Sequence, residues 1–492
     1  MNFQPSPFVA PPEVITTKSR FRNAIGKYRI RRSNACIACG HCIEACPHGV
    51  HHIRNHKLAP PDDYLCVGFE CGKCVDECPQ KALSLDINPL MEVIGDRRWT
   101  PDLLVSTWYM AETGEMPKGG VETETGGSDG GFDKLRFLYK NELPADFNPA
   151  DFNTSIKLNR KDDGRDEGVI GLPIYGGGMS YGSINLMAII ARARAWKEWN
   201  SFTCTGEGGY PEELFPYDDH VITQVATGLF GVREETIQRV RMVEFKYAQG
   251  AKPGLGGHLL GDKVTPKVAR MREAVPGNPL FSPFPFHSVY SVEDHKKHID
   301  WIKEINPRAM VSVKVSTPSD VDMVAVGSYF AGAHIVHLDG SYGGTGAAPD
   351  IAKKNIAMPI EYGIIKVHNF LKDEGIRDAV TVIASGGIRT PADVAKAIML
   401  GADGVVIGTS EMVALECIRC SYCESGRGCA RGIASTDPEL STMIDVEWAT
   451  KRLVNMLAAW RTELCRIMAR MGMKDIREMV GRTDCLKHLD YQ

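Results

Sequence analysis

ASGGIRTPADVAKAIMLGADGVVIGTSEMVALECIRCSYCESGRGCARG, residues 384–432, is the stretch that decides the fold. A short β-branched run at 381–384 ends in Gly386-Gly387, and 391–400 then has the spacing of an amphipathic helix. Residues 404–408 read as a second buried strand, followed by a loop at Gly408-Thr409. Strand, glycine loop, helix, strand and second loop form the last two units of a (β/α)8 barrel, where backbone N–H groups and a helix N-terminus hold a phosphate. Eight residues after Thr409 come Cys417, Cys420, Cys423 and Cys429, near enough in sequence to place a metal centre at the same barrel mouth.

Working backwards from this stretch, short apolar or β-branched runs alternate with helical ones from residue 169 onward. The expected strands are 170–175, 202–205, 243–248, 285–289, 311–315, 334–338, 381–384 and 405–407. Eight strands separated by helices over roughly 250 residues suit a (β/α)8 barrel, whose chemistry sits at the C-terminal strand ends. A doubly wound open sheet is the alternative, but no GxGxxG fingerprint opens the region. Several strand exits carry glycine: Gly206-Glu207-Gly208-Gly209, Gln249-Gly250-Ala251-Lys252, and Gly340 to Gly346, which includes Gly343 and Gly344. In 311–316 a period of two puts the valines on one face and Ser312, Lys314 and Ser316 on the other. A lysine at a barrel mouth could steady the negative charge of a reduced flavin ring; the plain alternative is a snorkelling surface lysine.

Toward the N-terminus, Cys36, Cys39, Cys42 and Cys46 follow C-x2-C-x2-C-x3-C with Pro47 next, the bacterial ferredoxin pattern. Cys66, Cys71, Cys74 and Cys78 with Pro79 repeat it with a longer first gap. In two-cluster ferredoxins the fourth cysteine ligates the other cluster, so the expected sets are Cys36, Cys39, Cys42 with Cys78, and Cys66, Cys71, Cys74 with Cys46. Zinc knuckles are the alternative, disfavoured by four cysteines at this spacing followed by proline. The histidines at 48, 51, 52 and 56 read as a solvated loop. The division expected is a ferredoxin-like α+β domain at 1–95, a polar connector at 96–168 lying over the surface, and a barrel at 169–492 that ends in the cysteine loop and helices. Within the connector 99–114 looks helical, and 119–131 has no periodicity. Residues 445–473 read as one or two amphipathic helices, Cys204 and Cys465 as core thiols, and Cys485 as incidental.

Composition sets bounds. The 492 residues exceed one simple core, and a net charge of -4 without a basic stripe argues against nucleic acid. No apolar run has the length of a membrane span, and the first residues lack signal-peptide character, so a cytoplasmic, non-membrane protein is expected. Of 15 cysteines, twelve fall in three tight groups, which in a reducing compartment reads as metal ligation.

The motifs GGGMSYGSIN, TGEGG, ITQVATGLFGV, AQGAKPG, VTPKVARMREAVPG, SPFPFHSVYSVEDH, INPRAMVSVKV, LDGSYGGTGAAP, SGGIRTPADV and VIGTSEMVAL lie in order across 172–434. In them the chain resembles the flavin domain of glutamate synthase, particularly the archaeal type with an N-terminal two-cluster ferredoxin. The resemblance implies an FMN barrel that reduces the imine of 2-oxoglutarate and ammonia to L-glutamate. It implies that Met179, Ser180 and Gln224 contact the isoalloxazine, that Lys314 stands by its N1 edge, and that Gly386, Gly387, Gly408 and Thr409 hold the phosphate. Glu207 and Lys252 match positions of the 2-oxoglutarate site, where lysine suits a carboxylate as a point charge; for each, a structural ion pair is the plain alternative.

Three departures from the family pattern stand out. His258 replaces a common glutamine. Cys420 lies between Cys417 and Cys423, so the last cluster could be 3Fe-4S or 4Fe-4S. Neither a glutaminase nor a glycine-repeat β-helix is visible, so a separate subunit is expected to supply ammonia unless free ammonia or another amine is used. Two 4Fe-4S clusters would take electrons from ferredoxin or a partner subunit in an oligomeric complex and pass them to the C-terminal cluster and FMN. The alternatives are an N-methylglutamate synthase type of subunit that uses an amine, and an electron-transfer subunit without a substrate of its own.

Overall fold

The computed structural model describes residues 10–20, 25–121, 131–349, 351–353, 355–424 and 428–490. Residues 1–9 and most of the 119–131 stretch lie outside the described residues. Eight parallel strands form the core: β1 (Ile174–Gly176), β2 (Thr203–Cys204), β3 (Val221–Ala226), β4 (Met242–Lys246), β5 (Met310–Ser316), β6 (Ile335–Asp339), β7 (Thr381–Ser385) and β8 (Gly404–Ile407). From β2 to β8 each strand pairs with its neighbour in sequence, and β8 returns to β1. The seam between β1 and β2 is drawn together by a parallel bridge from Gly178 to Cys204 and by the Gly176 N–H donating to the Phe202 carbonyl at 2.8 Å. The barrel expected from the glycine loops is therefore the observed architecture.

Two of the expected strands need correction. Residues 285–289 form turns, because Pro283 and Pro285 deprive the segment of ladder donors; Phe286 instead packs on Phe245 and Tyr247. The missing strand is β3, VITQVA, whose six residues are all buried although Thr223 and Gln224 interrupt its apolar pattern. Of the expected first strand, only its end joins the barrel. Val169–Ile170 pairs antiparallel with Ile156–Lys157 instead.

The connector does more than lie over the surface. Thr100 caps the helix Pro101–Thr113, with Pro101 at its first position, and the helix buries Leu103, Leu104, Met110 and Ala111. Its partner is the long helix Val446–Met471, capped by the Asp445 carboxylate and ended by Gly472 in the left-handed region. Arg452 on that helix donates to the carbonyls of Thr17, Trp108 and Ala414, tying the N-terminal arm, the connector helix and the barrel together. Cys485, read as incidental, is fully buried in the same core. His51, read as part of a solvated loop, is buried as well. Among the described residues no helix is long and apolar enough to cross a membrane.

Leu104 packs with Trp99 and with Val413 of the helix Thr409–Ala414. Leu104→Ala is expected to cost about 2–5 kcal/mol, a large cavity penalty for a residue outside the barrel. Denaturant unfolding measures it, and a loss below about 0.5 kcal/mol would show that the connector helix is not part of the core.

Candidate active site

A cavity of about 290 Å³ opens at the C-terminal mouth of the barrel. One wall is made of bare backbone. A β-carbon on Gly386, where φ is +88°, would lie 2.3 Å from the Gly340 carbonyl oxygen, and one on Gly344 would lie 2.0 Å from Thr409 Oγ1. Gly387, Gly408, Thr409 and Gly343 line the same wall. Arg98 comes from the connector, donates to the Gly387 carbonyl at 3.4 Å and stacks 4.0 Å over the Tyr342 ring. Its neighbour Arg389 pairs with Asp133 and Asp393. Bare backbone flanked by a buried guanidinium is chemistry suited to a phosphate.

Met179, Ser180, Gln224 and Lys314 line the floor. Gly178 leaves room for Gln224, since a β-carbon there would meet Nε2 at 2.8 Å. Lys314 is buried and pairs with Asp339 at 3.3 Å. Burial opposes its charge, but Asp339 and Glu244 outweigh that and raise its pKa.

The opposite wall is cationic. Glu207 sits 3.2 Å from Lys246 and accepts from Ser282 at 3.1 Å; burial would raise its pKa, but Lys246, Ser282 and Lys252 bring it down. Lys252 is pushed down to about 8 by burial and then by Lys246. Arg272, lowered to about 10 by burial, donates to Ser180 Oγ at 2.8 Å and to the Tyr181 carbonyl at 2.9 Å. Glu424 on this wall is paired with Lys263. Lys246, Lys252 and Arg272, with Lys263 paired to Glu424, thus outnumber the two carboxylates Glu207 and Glu424, an excess of positive charge that suits a dianion. His258 lines the wall stacked on Phe281, with ring centroids 4.7 Å apart.

The cysteine loop closes the third side. Cys417, Cys423 and Cys429 line the cavity, whereas Cys420 is exposed. Burial pushes the Cys417 thiol up to about 11, against the lowering effect of the Arg419 N–H and guanidinium and with the Cys429 and Cys423 thiols adding to it. The loop holds Glu416, Arg419 and Ser421 at positive φ, an uncommon density of strained positions. Arg419 secures it, pairing with Asp96 of the connector and donating to the Gly344 carbonyl at 3.0 Å.

In the N-terminal region Cys74 is brought up to about 11 by burial and by the nearby thiols of Cys66, Cys46, Cys71 and Cys42. Cys42 lies beside Cys36 and Cys39. Cys78 packs in the same small core, its sulfur accepting from the Ala82 N–H at 3.3 Å. Among the described residues no three Cys, His, Asp or Glu side chains close on a point as around a single metal ion.

Sequence reasoning assigned no role to Lys246, Arg272 or Arg98. Lys246 could have been found by alternation, two residues beyond inward-facing Glu244. Arg98 carries no local signal at all.

A parallel barrel whose mouth joins a glycine wall, a cationic wall and a thiolate loop, preceded by a region with two ferredoxin-type cysteine runs, defines the class of protein. Residues 132–474 match the model described as the conserved region in glutamate synthase, and 35–83 match a 4Fe-4S dicluster domain. The chain is 35% identical over 482 residues to the archaeal-type glutamate synthase [NADPH] of Thermotoga maritima, covering 92% of each chain. It is 35% identical over 496 residues to the archaeal glutamate synthase [NADPH] of Methanocaldococcus jannaschii, covering 94% of this chain and 95% of that one. The glutamate synthase [NADPH] large chain of Bacillus subtilis is 36% identical over 63% of this chain, which is 21% of its own length. This chain belongs to the glutamate synthase family.

Gly386→Ala should lose about 1–2 kcal/mol to its left-handed backbone and about 1–3 more to the clash with Gly340. Gly277→Ala, at φ +78° with open space around it, should lose only the first. Comparing the two unfolding midpoints isolates the close approach; equal losses would count against it.

Proposed function

We propose that this chain is the synthase subunit of a glutamate synthase, reducing 2-iminoglutarate, formed from 2-oxoglutarate and ammonia, to L-glutamate. The observation that carries the reading is the cationic wall of Lys246, Lys252 and Arg272 around Glu207, lining the same cavity as the glycine wall. A dicarboxylate fits the excess charge, and the glycine wall with Thr409 and Arg98 fits the phosphate of FMN. Lys314 suits the pyrimidine edge of the ring, and Met179, Ser180 and Gln224 its faces. Bound there, FMN would supply hydride-transfer chemistry and the exchange between one-electron and two-electron steps. The protein's part is to hold the substrate carboxylates at Lys252 Nζ and the Arg272 guanidinium, and to orient C2 toward the floor.

In the same reading, residues 1–95 are the electron-entry unit, 96–168 the connector and 169–492 the catalytic barrel. Cys36, Cys39, Cys42 and Cys78 would hold one 4Fe-4S cluster, and Cys66, Cys71, Cys74 and Cys46 the other. The grouping of Cys417, Cys423 and Cys429, with Cys420 exposed, favours a three-cysteine 3Fe-4S centre at the mouth. The relatives carry NADPH in their names. Clusters accept one electron at a time, so we expect NADPH electrons to arrive through a flavoprotein partner, or reduced ferredoxin to replace it. Ammonia would come from a separate glutaminase subunit, in the cytoplasm.

The His258–Phe281 stack supports a second reading, because it presents an aromatic surface on which an N-methyl group could rest. Anaerobic assays of glutamate and N-methylglutamate formation with glutamine, ammonia and methylamine decide between the two. Turnover with methylamine alone would replace the first reading, and turnover with none of the three would leave an electron-transfer role.

Binding of 2-oxoglutarate should weaken as pH rises through about 8, where Lys252 in the folded protein gives up its proton. Lys252→Arg should bind the dicarboxylate without that inflection, and Lys252→Met should weaken binding by about tenfold or more, in line with the loss of a charge-assisted hydrogen bond. Isothermal titration at pH 7 and pH 9.5 reads both effects.

A further inference from the structure

Beneath the cavity floor, five barrel strands meet in a ring of buried charge. Gln224 donates to Glu244 Oε1 at 2.6 Å, and Ser312 donates to Oε2 at 3.1 Å. His337 Nδ1 faces the same Oε2 at 2.9 Å, while its Nε2 lies 2.7 Å from Ser385 Oγ. Ser385 donates to Asp339 Oδ1 at 2.6 Å, and Asp339 Oδ2 accepts from the Gly250 N–H at 3.0 Å and pairs with Lys314 at 3.3 Å. Gln224, Lys314, Asp339 and Ser385 reach the cavity, whereas Glu244 and His337 lie below it, 2% and 1% exposed.

Counting donors assigns the protons. Ionised carboxylates only accept, and a hydroxyl has one proton to give. The 2.6 Å contact between Ser385 and Asp339 uses that proton, since two bare acceptors at such a distance repel. Ser385 Oγ must then accept from His337 Nε2–H. The other ring nitrogen faces a carboxylate oxygen that already takes the Ser312 proton, so Nδ1 must also carry hydrogen. Glu244 is held ionised against burial, without appeal to the imidazole: Oε1 takes the Gln224 N–H, Oε2 takes the Ser312 proton, and the Lys314 ammonium favours its charged form. Asp339 is likewise lowered against burial, chiefly by Lys314. Two more titratable groups lie against the ring: Tyr175, edge-on to His337 with centroids 6.3 Å apart, and the buried Cys204, whose thiol burial and Glu244 hold protonated.

We propose that His337 is an imidazolium, so that two cations, His337 and Lys314, are locked against two carboxylates, Glu244 and Asp339, and that this quartet sets the electrostatic field on the cavity floor. Glu244 and His337 touch no ligand; they are positioning residues that act through Gln224, Ser385 and Lys314. Resting on the flavin reading above, the inference assigns them control of the bound flavin's reduction potential, because a ring that takes up electrons gains negative charge over this floor.

Redox titration of bound FMN in the holoprotein tests it, with wild type, Glu244→Gln, His337→Asn and the double variant. Removing the carboxylate should shift the potential positive and removing the imidazolium should shift it negative. Each should change the reduced-to-oxidised ratio at fixed potential by about tenfold, or about 30 mV for a two-electron couple. The double variant should return toward wild type. Shifts of the same sign, no shifts, or a double variant that fails to compensate would overturn the quartet. Should His337→Asn not fold, 15N-histidine NMR of wild type reads the state directly: both ring nitrogens protonated at pH 7 supports the inference, and a neutral tautomer ends it. Wild type that takes up no flavin would sink the functional reading and this inference together; wild type that takes it up while its variants miss these signs sinks only the quartet.

Discussion

Charge buried inside a barrel has to be matched inside the barrel, and that constraint shapes this protein. In a medium of low polarity an unpaired ion costs several kcal/mol, so inward-facing ionisable side chains survive only in compensated sets. The floor obeys this with Glu244 and Asp339 set against Lys314 and His337. The wall above it does not reach balance: Lys246, Lys252 and Arg272 share Glu207, and burial lowers the pKa of both Lys252 and Arg272. A closed set of matched charges below and an open, cation-rich set above divide the mouth into two parts.

The same economy runs through the rest of the molecule. Arg452 and Asn455 on the long C-terminal helix donate to carbonyls of the N-terminal arm and the connector helix. Arg20 of the arm reaches the carbonyls of Leu415 and Met443 and the Glu416 carboxylate, on either side of the cysteine loop. From the other side, the Gly95 N–H donates to the Ile418 carbonyl and Asp96 pairs with Arg419. The loop is therefore clamped between the segment that leaves the ferredoxin-like region and the glycine wall of the barrel. Trp99 lines the cavity and packs in the cluster that includes Cys417, so a single dipeptide, Arg98-Trp99, touches both the anion wall and the thiolate side.

Sequence alone was enough for the features whose physics is local. The cysteine spacings and β-branched runs such as 381–385 are legible within a few residues, whereas the close approaches at Gly386 and Gly344 are to Gly340 and Thr409, far along the chain. The strand VITQVA was hidden because Gln224 and Thr223 are polar yet buried, matched by partners on other strands rather than by neighbours in sequence. Residues 285–289 looked like a strand for the converse reason: apolar side chains that pack on the barrel's outside resemble a strand until the prolines before them are counted. The sequence by itself thus determined the barrel, the grouping of the cysteines and the glycine-rich strand exits, since turn geometry and residue spacing are short-range constraints. Only the tertiary structure decided that Arg98 from the connector reaches that wall, that Lys246 and Arg272 join Lys252, and that His337 lies between Glu244 and Ser385, because compensating a buried charge depends on proximity in space between residues far apart along the chain.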